Sequence, residues 1–236
     1  MQTWALTHRG LKRPDNQDRY LVRELPGDGL LLAVADGMGG QAGGGVAAQM
    51  AVEALQGLDP EQAASRAGLR RLFTDTCRQI LCKAEANPEL EGMGTTLTAV
   101  HVQGGRATWA HVGDSRLYLW RAGSLRQISQ DHNAAAFMVA EGLLEPEQAG
   151  IHPSRHMLLD CLGCGDCEPD TGSLGLRPQD LLLLTTDGLH GAVPDPEISA
   201  VLAGPPAGPR PKLEYLLQKA LEAGGRDNIT AVGMQL

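Results

Sequence analysis

The sequence predicts a single α+β domain in which helices cover antiparallel β-sheets. Three observations lead to this prediction: apolar, β-branched segments are joined by short turns, amphipathic helical segments lie between these groups, and no change in composition marks a domain boundary. A short turn can join only antiparallel strands, because a parallel pair needs a crossover of a dozen or more residues. We therefore expect residues 1–236 to fold as one domain.

The predicted strands are short apolar segments, several of which form hairpins. Glycine-containing turns at residues 103–106 and 121–124 each separate two such segments, as in a β-hairpin. The predicted strands are residues 30–35, 95–102, 107–112, 117–120, 125–128, 181–186 and 228–234.

The predicted helices have apolar residues at three- and four-residue spacings. They are residues 46–55, 62–86 and 213–221. Gly224 and Gly225 follow the last of these as a stop signal. Residues 134–150 predict a short helical pair, whose second member starts at Pro146. Residues 203–211 are rich in Pro and Gly and are expected to form a surface loop.

Composition narrows the classes of function. The 236-residue chain has 28 acidic and 20 basic residues, a formal charge of −8, and no block of Lys and Arg. Such a chain is a poor partner for nucleic acid or anionic lipid. No apolar run approaches the roughly 18 residues that suggest a membrane span, and the first residues lack the pattern of a secretory signal. Because five cysteines are an odd number in a long chain, we expect a reducing, cytoplasmic compartment and no membrane partner.

A recurring carboxylate pattern indicates a metal site. Asp36, Asp114 and Asp187 each end an apolar segment, and Asp18 and Asp227 each lie just before one. Carboxylates held together at strand ends are costly unless cations neutralise them. Oxygen ligands without Cys or His suit Mg²⁺ or Mn²⁺. Any one Asp-Gly pair is also ordinary turn chemistry, but the repetition favours a shared metal centre.

Six short motifs stand in one order along the chain. They are Arg13-Pro14-Asp15-Asn16-Gln17-Asp18, Ala35-Asp36-Gly37-Met38-Gly39-Gly40, Gly94-Thr95-Thr96, Val112-Gly113-Asp114-Ser115-Arg116, Thr186-Asp187-Gly188-Leu189 and Arg226-Asp227-Asn228-Ile229-Thr230. This order resembles the metal-dependent Ser/Thr protein phosphatases of the phosphatase 2C (PPM) type in their short bacterial form. The match runs from about residue 10 to residue 232. Residues 138–163 also resemble the mobile flap of bacterial members, so we place a flap segment at about 133–165.

The resemblance implies a four-layer αββα sandwich, two antiparallel sheets flanked by helices, with two Mn²⁺ or Mg²⁺ ions at one end. Asp36 would bridge both ions, and Gly37 would offer its carbonyl to the second. Asp187 and Asp227 would complete the ligands of the first ion, and Asp18 would support the second in part through water. A water that bridges the two ions would become a hydroxide and attack phosphorus in line.

The resemblance also assigns the substrate contact and a weaker third site. Arg13 matches the arginine that grips the substrate phosphate, for which a guanidinium offers a planar fork. Arg13 and Asp36 are therefore the predicted catalytic residues. Asp114 matches a ligand of a third, weakly bound ion. Gly191 stands where many members have an Asp, which weakens this third site.

The activity implied by the resemblance is hydrolysis of phosphoserine and phosphothreonine on proteins, by a monomer that reverses a cognate Ser/Thr kinase. The alternative is a non-catalytic regulatory or phosphoprotein-binding domain on the same fold. Such a domain has no need to keep five aspartates and Arg13, which argues against the alternative. Turnover that depends on a metal would distinguish the two.

Two further motifs have competing interpretations. Residues 37–42 satisfy the G-x-G-x-x-A fingerprint of dinucleotide binding. The aspartate before them would repel a pyrophosphate, and the surrounding strands are predicted to form hairpins rather than βαβ units. Residues 161–167 contain a C-x₂-C-x₂-C series that resembles the opening of an iron–sulfur motif without its fourth Cys, and His152 or His156 could complete a zinc site. The alternative for this series is three small residues in a loop beyond the flap.

Overall fold

The computed structural model describes residues 1–39, 43–204 and 208–236. The strands in these ranges are β1 (Gln2–His8), β2 (Arg19–Leu25), β3 (Gly29–Ala35), β4 (Gly37–Met38), β5 (Gly94–Thr95), β6 (Leu97–Gln103), β7 (Arg106–Val112), β8 (Arg116–Arg121), β9 (Ser124–Gln127), β10 (Asp170–Gly175), β11 (Leu181–Thr185) and β12 (Ile229–Gln235). The α-helices are α1 (Gly43–Gln56), α2 (Pro60–Ala63), α3 (Arg66–Ala86), α4 (Ala134–Ala140), α5 (Pro146–Ala149), α6 (Asp187–His190), α7 (Asp195–Ala203) and α8 (Pro209–Glu222). Two 3-10 turns are formed by Pro88–Leu90 and Pro153–His156.

Most of these strands form two five-stranded sheets. The first sheet has the order β1-β12-β11-β8-β9, the second has the order β10-β7-β6-β3-β2, and β4 pairs with β5. Between the strands of the described residues, every pairing is antiparallel. The predicted hairpins are β6–β7 and β8–β9. The predicted α+β architecture, two antiparallel sheets flanked by helices, is confirmed.

Strand β3 shows how the layers are built. It is buried at all seven positions, and its side chains alternate between two cores. Leu30, Leu32 and Val34 enter the core between the two sheets, whereas Leu31 and Ala33 enter the core that also contains residues of α1 and α3. An apolar segment of this kind is typical of a strand covered on both faces. A third core joins the first sheet to α7 and α8, which completes the layer order of helices, sheet, sheet and helices.

The helices confirm the predicted segments but correct some of their bounds. The predicted helix at residues 62–86 is two helices, α2 and α3. Ser65 separates them, because its side chain accepts a hydrogen bond from the Gly68 N–H at 2.9 Å and so caps the start of α3. The predicted loop at 203–211 is wrong at both ends, because α7 includes Ala203 and α8 begins at Pro209. Residues 205–207 of that loop lie outside the described residues.

The strands that sequence patterns missed are mostly edge strands. β1, β2 and β10 lie at sheet edges, and each has exposed or half-buried positions along its length. Edge strands need no continuous apolar run, so their pattern is weaker than that of β3 or β11. Thr95, predicted as the start of a long strand, belongs instead to the short β5, which precedes β6. Among the described helices, none combines the length and the apolarity needed to cross a membrane.

Candidate functional site

The five aspartates singled out by the sequence lie close to one another. Asp36 follows β3, Asp114 lies between β7 and β8, and Asp187 follows β11 at the start of α6, while Asp18 and Asp227 precede β2 and β12. Because antiparallel neighbours run in opposite directions, the end of one strand and the start of the next lie at the same edge. One cavity at this edge is lined by Asp36, Asp114, Asp187 and Asp227 together with Arg13 and Gly37.

Asp18 is the most enclosed predicted ligand, with 3% of its surface exposed. Its Oδ2 accepts hydrogen bonds from the hydroxyls of Thr186 at 2.9 Å and Thr230 at 2.6 Å. Its Oδ1 is, within the described part of the chain, the one buried side-chain polar atom without a hydrogen-bond partner. Burial raises the pKa of Asp18 to about 7, although the hydrogen bonds from the two threonines act to lower it. An unpartnered oxygen at this depth is costly in free energy and is suited to accept a cation.

Asp36 is anchored through its backbone. Its N–H donates to Thr96 Oγ1 at 3.0 Å, and its carbonyl accepts from the Thr96 N–H and the Thr95 hydroxyl, each at 2.9 Å. The carboxylate keeps a partly exposed surface at the cavity. Burial first, and then the charges of the other four aspartates, hold the pKa of Asp36 well above its ordinary value. The strand end is therefore fixed while the carboxylate stays under strong repulsion.

Asp187 and Asp114 experience the same repulsion. Burial, followed by the charge of Asp227, raises the pKa of Asp187, and a hydrogen bond shared with Asp36 opposes this rise. Burial, followed by the charge of Asp187, raises the pKa of Asp114 to about 8. Asp114 is 8% exposed. These carboxylates are close enough to perturb one another, which is unfavourable without a compensating positive charge.

Arg13 supplies positive charge at this cavity. Its Nη2 donates to Asp227 Oδ2 at 2.8 Å, and the two side chains are 54% and 33% exposed. The hydrogen bond to Asp227 raises the pKa of Arg13 against its partial burial, and the charges of Asp36 and Asp187 add to the rise. An ion pair this exposed contributes little to folding stability. Its main consequence is to hold the guanidinium beside the carboxylates.

Asn228 is a residue whose role the sequence analysis missed. Its side-chain oxygen accepts from the Gln17 N–H at 2.8 Å, and its amide group donates to the carbonyls of Arg9 and Asp15, each at 2.8 Å. These bonds fasten the loop that carries Arg13 to the start of β12. In the sequence, the one indication of this role is that Asn228 lies directly between an aspartate and an apolar strand.

Gly37 is required by the close approach of two backbone segments. A Cβ atom at this position would collide with the carbonyl of Gly44 in α1. Gly37 also pairs with Thr95 in the small β4–β5 sheet. Only glycine lets the backbone after Asp36 pass so near to the helix.

The aspartates are not arranged as a ready-made metal cage. Within residues 1–39, 43–204 and 208–236, no three His, Cys, Asp or Glu side chains are grouped so as to hold a metal ion. Two predicted ligands are held by protein donors instead, Asp227 by Arg13 and Asp18 by threonine hydroxyls. The chemistry of the donors still fits a hard divalent cation, because carboxylate oxygens repel one another here and Asp18 Oδ1 is buried without a partner. The individual ligand assignments stay predictions.

The predicted flap segment, about residues 133–165, contains α4, α5 and the turn Pro153–His156. Its exposed large apolar side chains are Phe137, Leu143, Ile151, Met157 and Leu159. Three of its residues, His156, Leu158 and Cys164, line the same cavity as Asp36. The segment therefore forms part of the cavity wall beside the acidic cluster.

The structure bears on both motifs that had competing interpretations. Dinucleotide binding by residues 37–42 would require β3 to belong to a parallel βαβ unit. Strand β3 instead lies between the antiparallel neighbours β2 and β6. Residues 40–42, including Gly40, lie outside the described residues. In the cysteine series, a disulfide joins Cys161 to Cys164, a bond that the sequence analysis did not predict.

Comparison with known proteins identifies relatives of the chain. A family model described as protein phosphatase 2C matches residues 8–205. The serine/threonine protein phosphatase PstP of Mycobacterium tuberculosis (strain H37Rv) is 38% identical over 238 residues, which cover 97% of this chain but only 43% of PstP. The serine/threonine phosphatase stp of Listeria monocytogenes (strain EGD-e) is 36% identical over 233 residues, which cover 96% of this chain and 92% of that protein.

A solved structure agrees with the fold. The crystal structure of the catalytic domain of PstP in complex with two manganese ions has a TM-score of 0.84 and 36% sequence identity, and the match covers 98% of this chain and 96% of that one. The family match spans the strands and loops that carry Arg13, Asp36, Asp114 and Asp187. The chain therefore belongs to the protein phosphatase 2C family.

Proposed function

We propose that this chain is a metal-dependent protein Ser/Thr phosphatase whose catalytic domain is residues 1–236. The observation that carries this proposal is the convergence of Asp36, Asp114, Asp187 and Asp227 with Arg13 on one cavity. The names of PstP and stp support the same activity. The substrates would be proteins carrying phosphoserine or phosphothreonine. The enzyme would act as a cytoplasmic monomer opposite a cognate Ser/Thr kinase.

The acidic cluster would hold two divalent cations, Mn²⁺ or Mg²⁺. Asp36, Asp187 and Asp227 would be ligands, with the Gly37 carbonyl and Asp18 supporting the second ion. The two manganese ions in the PstP structure support a site for two ions. When bound, a pair of divalent ions lowers the pKa of a water and stabilises the charge of an in-line displacement at phosphorus. The raised carboxylate pKa values also support it, since a cation would relieve the repulsion that causes them.

The residues around the cluster have separate tasks. The threonine hydroxyls that donate to Asp18 would orient its carboxylate so that Oδ1 stays available. Arg13 would bind the substrate phosphate through its planar fork and offset charge that develops at phosphorus. Asp114 would support only a third, weaker ion, because Gly191 adds no side-chain oxygen there.

The test is hydrolysis of p-nitrophenyl phosphate and a phosphothreonine peptide in the presence of Mn²⁺. Asp36→Asn is expected to lower kcat/KM by about 10³-fold or more, because it removes charge at the reacting centre. Asp28→Asn is the matched control, since Asp28 is an exposed turn residue with φ 57°, a conformation that Asn tolerates. Activity that persists in EDTA, or full activity of Asp36→Asn, would contradict the proposal. A wild-type chain that binds the phosphopeptide without turnover would instead indicate the non-catalytic alternative.

A further inference from the structure

Four cysteines lie together beside the candidate site, and the proposed hydrolysis uses none of them. Cys161 and Cys164 are joined by a disulfide with a Cα–Cα distance of 5.3 Å, which is within the usual range. Cys77 of α3 reaches the same segment, because its Sγ donates to the Gly165 carbonyl at 3.2 Å. Cys77 also accepts a hydrogen bond from the Gly163 N–H at 3.4 Å, and Cys167 is buried in the same core as Cys77. The series at residues 161–167 is thus a folded unit rather than a set of unrelated small residues.

The two bonded cysteines differ in access. Cys161 is 1% exposed, whereas Cys164 is exposed and lines the cavity that contains Asp36 and Arg13. The Cys164 side of the disulfide is therefore the side open to a reagent in solution. Disulfide exchange depends on access of this kind, because the attacking thiolate must approach one of the two sulfurs.

The disulfide packs on the strand next to the proposed metal ligands. A Cβ atom at Gly94 would lie 3.0 Å from Cys161 Sγ and 3.2 Å from Cys164 Sγ, so both sulfurs rest on the Gly94 backbone. Leu162, inside the disulfide ring, exchanges two backbone hydrogen bonds of 2.9 Å with Thr95. The short ring thereby holds its partner strand β5.

Strand β5 in turn holds the segment that carries Asp36. Thr95 pairs with Gly37, and its hydroxyl donates to the Asp36 carbonyl at 2.9 Å. A continuous set of hydrogen bonds, the last made by the Thr95 side chain, therefore leads from Leu162 through Thr95 to Asp36. Any change in the ring that frees Leu162 also removes a restraint on the Asp36 loop.

A metal site is the competing interpretation of the C-x₂-C-x₂-C series. Two of its sulfurs are bonded to each other. In the described residues, no three Cys, His, Asp or Glu side chains are grouped so as to hold a metal ion. The observed geometry is that of a disulfide.

We propose that Cys161 and Cys164 are a reversible redox site whose disulfide holds Leu162 against Thr95 and so restrains the Asp36 loop. The reductant would be a dithiol. One of its thiolates attacks the sulfur of the exposed residue Cys164, forms a mixed disulfide and releases Cys161 as a thiolate, which takes a proton. The second thiol of the reductant then displaces Cys164, which is also protonated. The reductant leaves as a disulfide, and two electrons and two protons have passed to the protein.

Reduction is expected to move Cys164 away from Cys161. The two sulfurs can no longer stay at bonding distance, and Cys161 is enclosed, so Cys164 is the residue that moves. Its displacement loosens the turn in which the Cys164 N–H donates to the Cys161 carbonyl at 3.3 Å. The Leu162–Thr95 pairing is expected to weaken with it. The redox step is independent of the proposed phosphatase activity, and only its effect on catalysis rests on that function.

The first test follows the thiols of the full chain in buffers of reduced and oxidised dithiothreitol. Free thiols are trapped with a maleimide and located by peptide mass spectrometry. We expect Cys161 and Cys164 to change together, while the exposed Cys82 of α3 is labelled in every buffer. Labelling of both Cys161 and Cys164 under the most oxidising condition would overturn the proposal. So would a disulfide that resists reduction while the chain stays folded.

The second test measures hydrogen exchange at the amides of Thr95 and Leu162 without added metal. Reduction is expected to speed exchange at both by about tenfold, as local opening becomes easier. In Cys164→Ser, which changes an exposed side chain, exchange should be fast with or without reductant, whereas Cys82→Ser should behave like wild type. Equal protection in the oxidised and reduced wild type would overturn the coupling. Neither test needs phosphatase turnover, so failure of the proposed function would not be confused with failure of this one.

Discussion

Strand β11 has an aspartate at each end, and the two carboxylates lie in opposite environments. Asp180, before the strand, accepts hydrogen bonds from Arg121 at 2.9 and 2.6 Å and from the Arg177 N–H at 2.7 Å. Burial alone would raise the pKa of Asp180, but these hydrogen bonds outweigh it and hold the pKa below its ordinary value. At the other end, burial and the charge of Asp227 hold the pKa of Asp187 above its ordinary value.

This difference distinguishes Asp180, a carboxylate with a structural role, from Asp187, a carboxylate suited to bind a ligand. A buried charge with hydrogen-bonded partners can stabilise a fold, whereas carboxylates that repel one another lower its stability. Proteins tolerate such a cost mainly at functional sites. Asp180 is therefore expected to matter for stability, and Asp187 for activity. Substitutions at the two ends of β11 test this contrast.

The largest effect is expected for Asp187→Asn. It removes a proposed metal ligand, so Mn²⁺-dependent kcat/KM on a phosphothreonine peptide should fall by about 10³-fold or more. It also removes a source of repulsion, so the thermal unfolding midpoint measured in EDTA should not fall. Full activity, or a midpoint several degrees lower, would show that Asp187 has a structural role like that of Asp180.

A smaller loss of activity is expected for Arg13→Ala. Removing an electrostatic contact to the substrate phosphate should lower kcat/KM by about 10²-fold. Because the Arg13–Asp227 ion pair is exposed, the unfolding midpoint should change little. Arg126→Ala, an exposed residue of β9, is the matched control. If both variants keep wild-type kinetics, Arg13 is only a surface ion-pair partner.

The smallest effect on activity is expected for Asp180→Asn, which should instead lower the unfolding midpoint by about 3–6 °C at pH 7. Its folded pKa is depressed, so its contribution to stability is present above the unfolded pKa of about 3.9 and is lost as pH falls through the folded pKa. The difference between Asp180→Asn and wild type should therefore shrink below about pH 4. A difference that stays constant from pH 7 to pH 3 would contradict the ionic explanation.

Local sequence patterns were sufficient for much of the interior and of the site. The apolar segments that became β3 and β11 are buried along their whole length, so their composition alone indicated strands. Asp36 follows β3 directly and Asp187 lies two residues after β11, which made both visible as candidates. The edge strands β1, β2 and β10 were missed, because half-exposed strands need no continuous apolar run.

Contacts between distant segments could not be predicted in this way. The threonines that bind Asp18 come from positions 186 and 230, far along the chain from residue 18. The attachment of the Arg13 loop by Asn228 likewise joins residues more than 200 positions apart. The Cys161–Cys164 bond was missed for another reason, since an odd cysteine count carries no information on which sulfurs meet.

The sequence by itself determined the secondary structure of the core, the order of the motifs and thus the family, because periodicity and short motifs are local properties. Only the tertiary structure decided that Asp180 forms an ion pair with Arg121, whereas Asp187 lies near other carboxylates. Both aspartates adjoin the same apolar strand and look alike in sequence. Their charges are stabilised or repelled by side chains from other strands, and packing of the sheets decides which side chains those are.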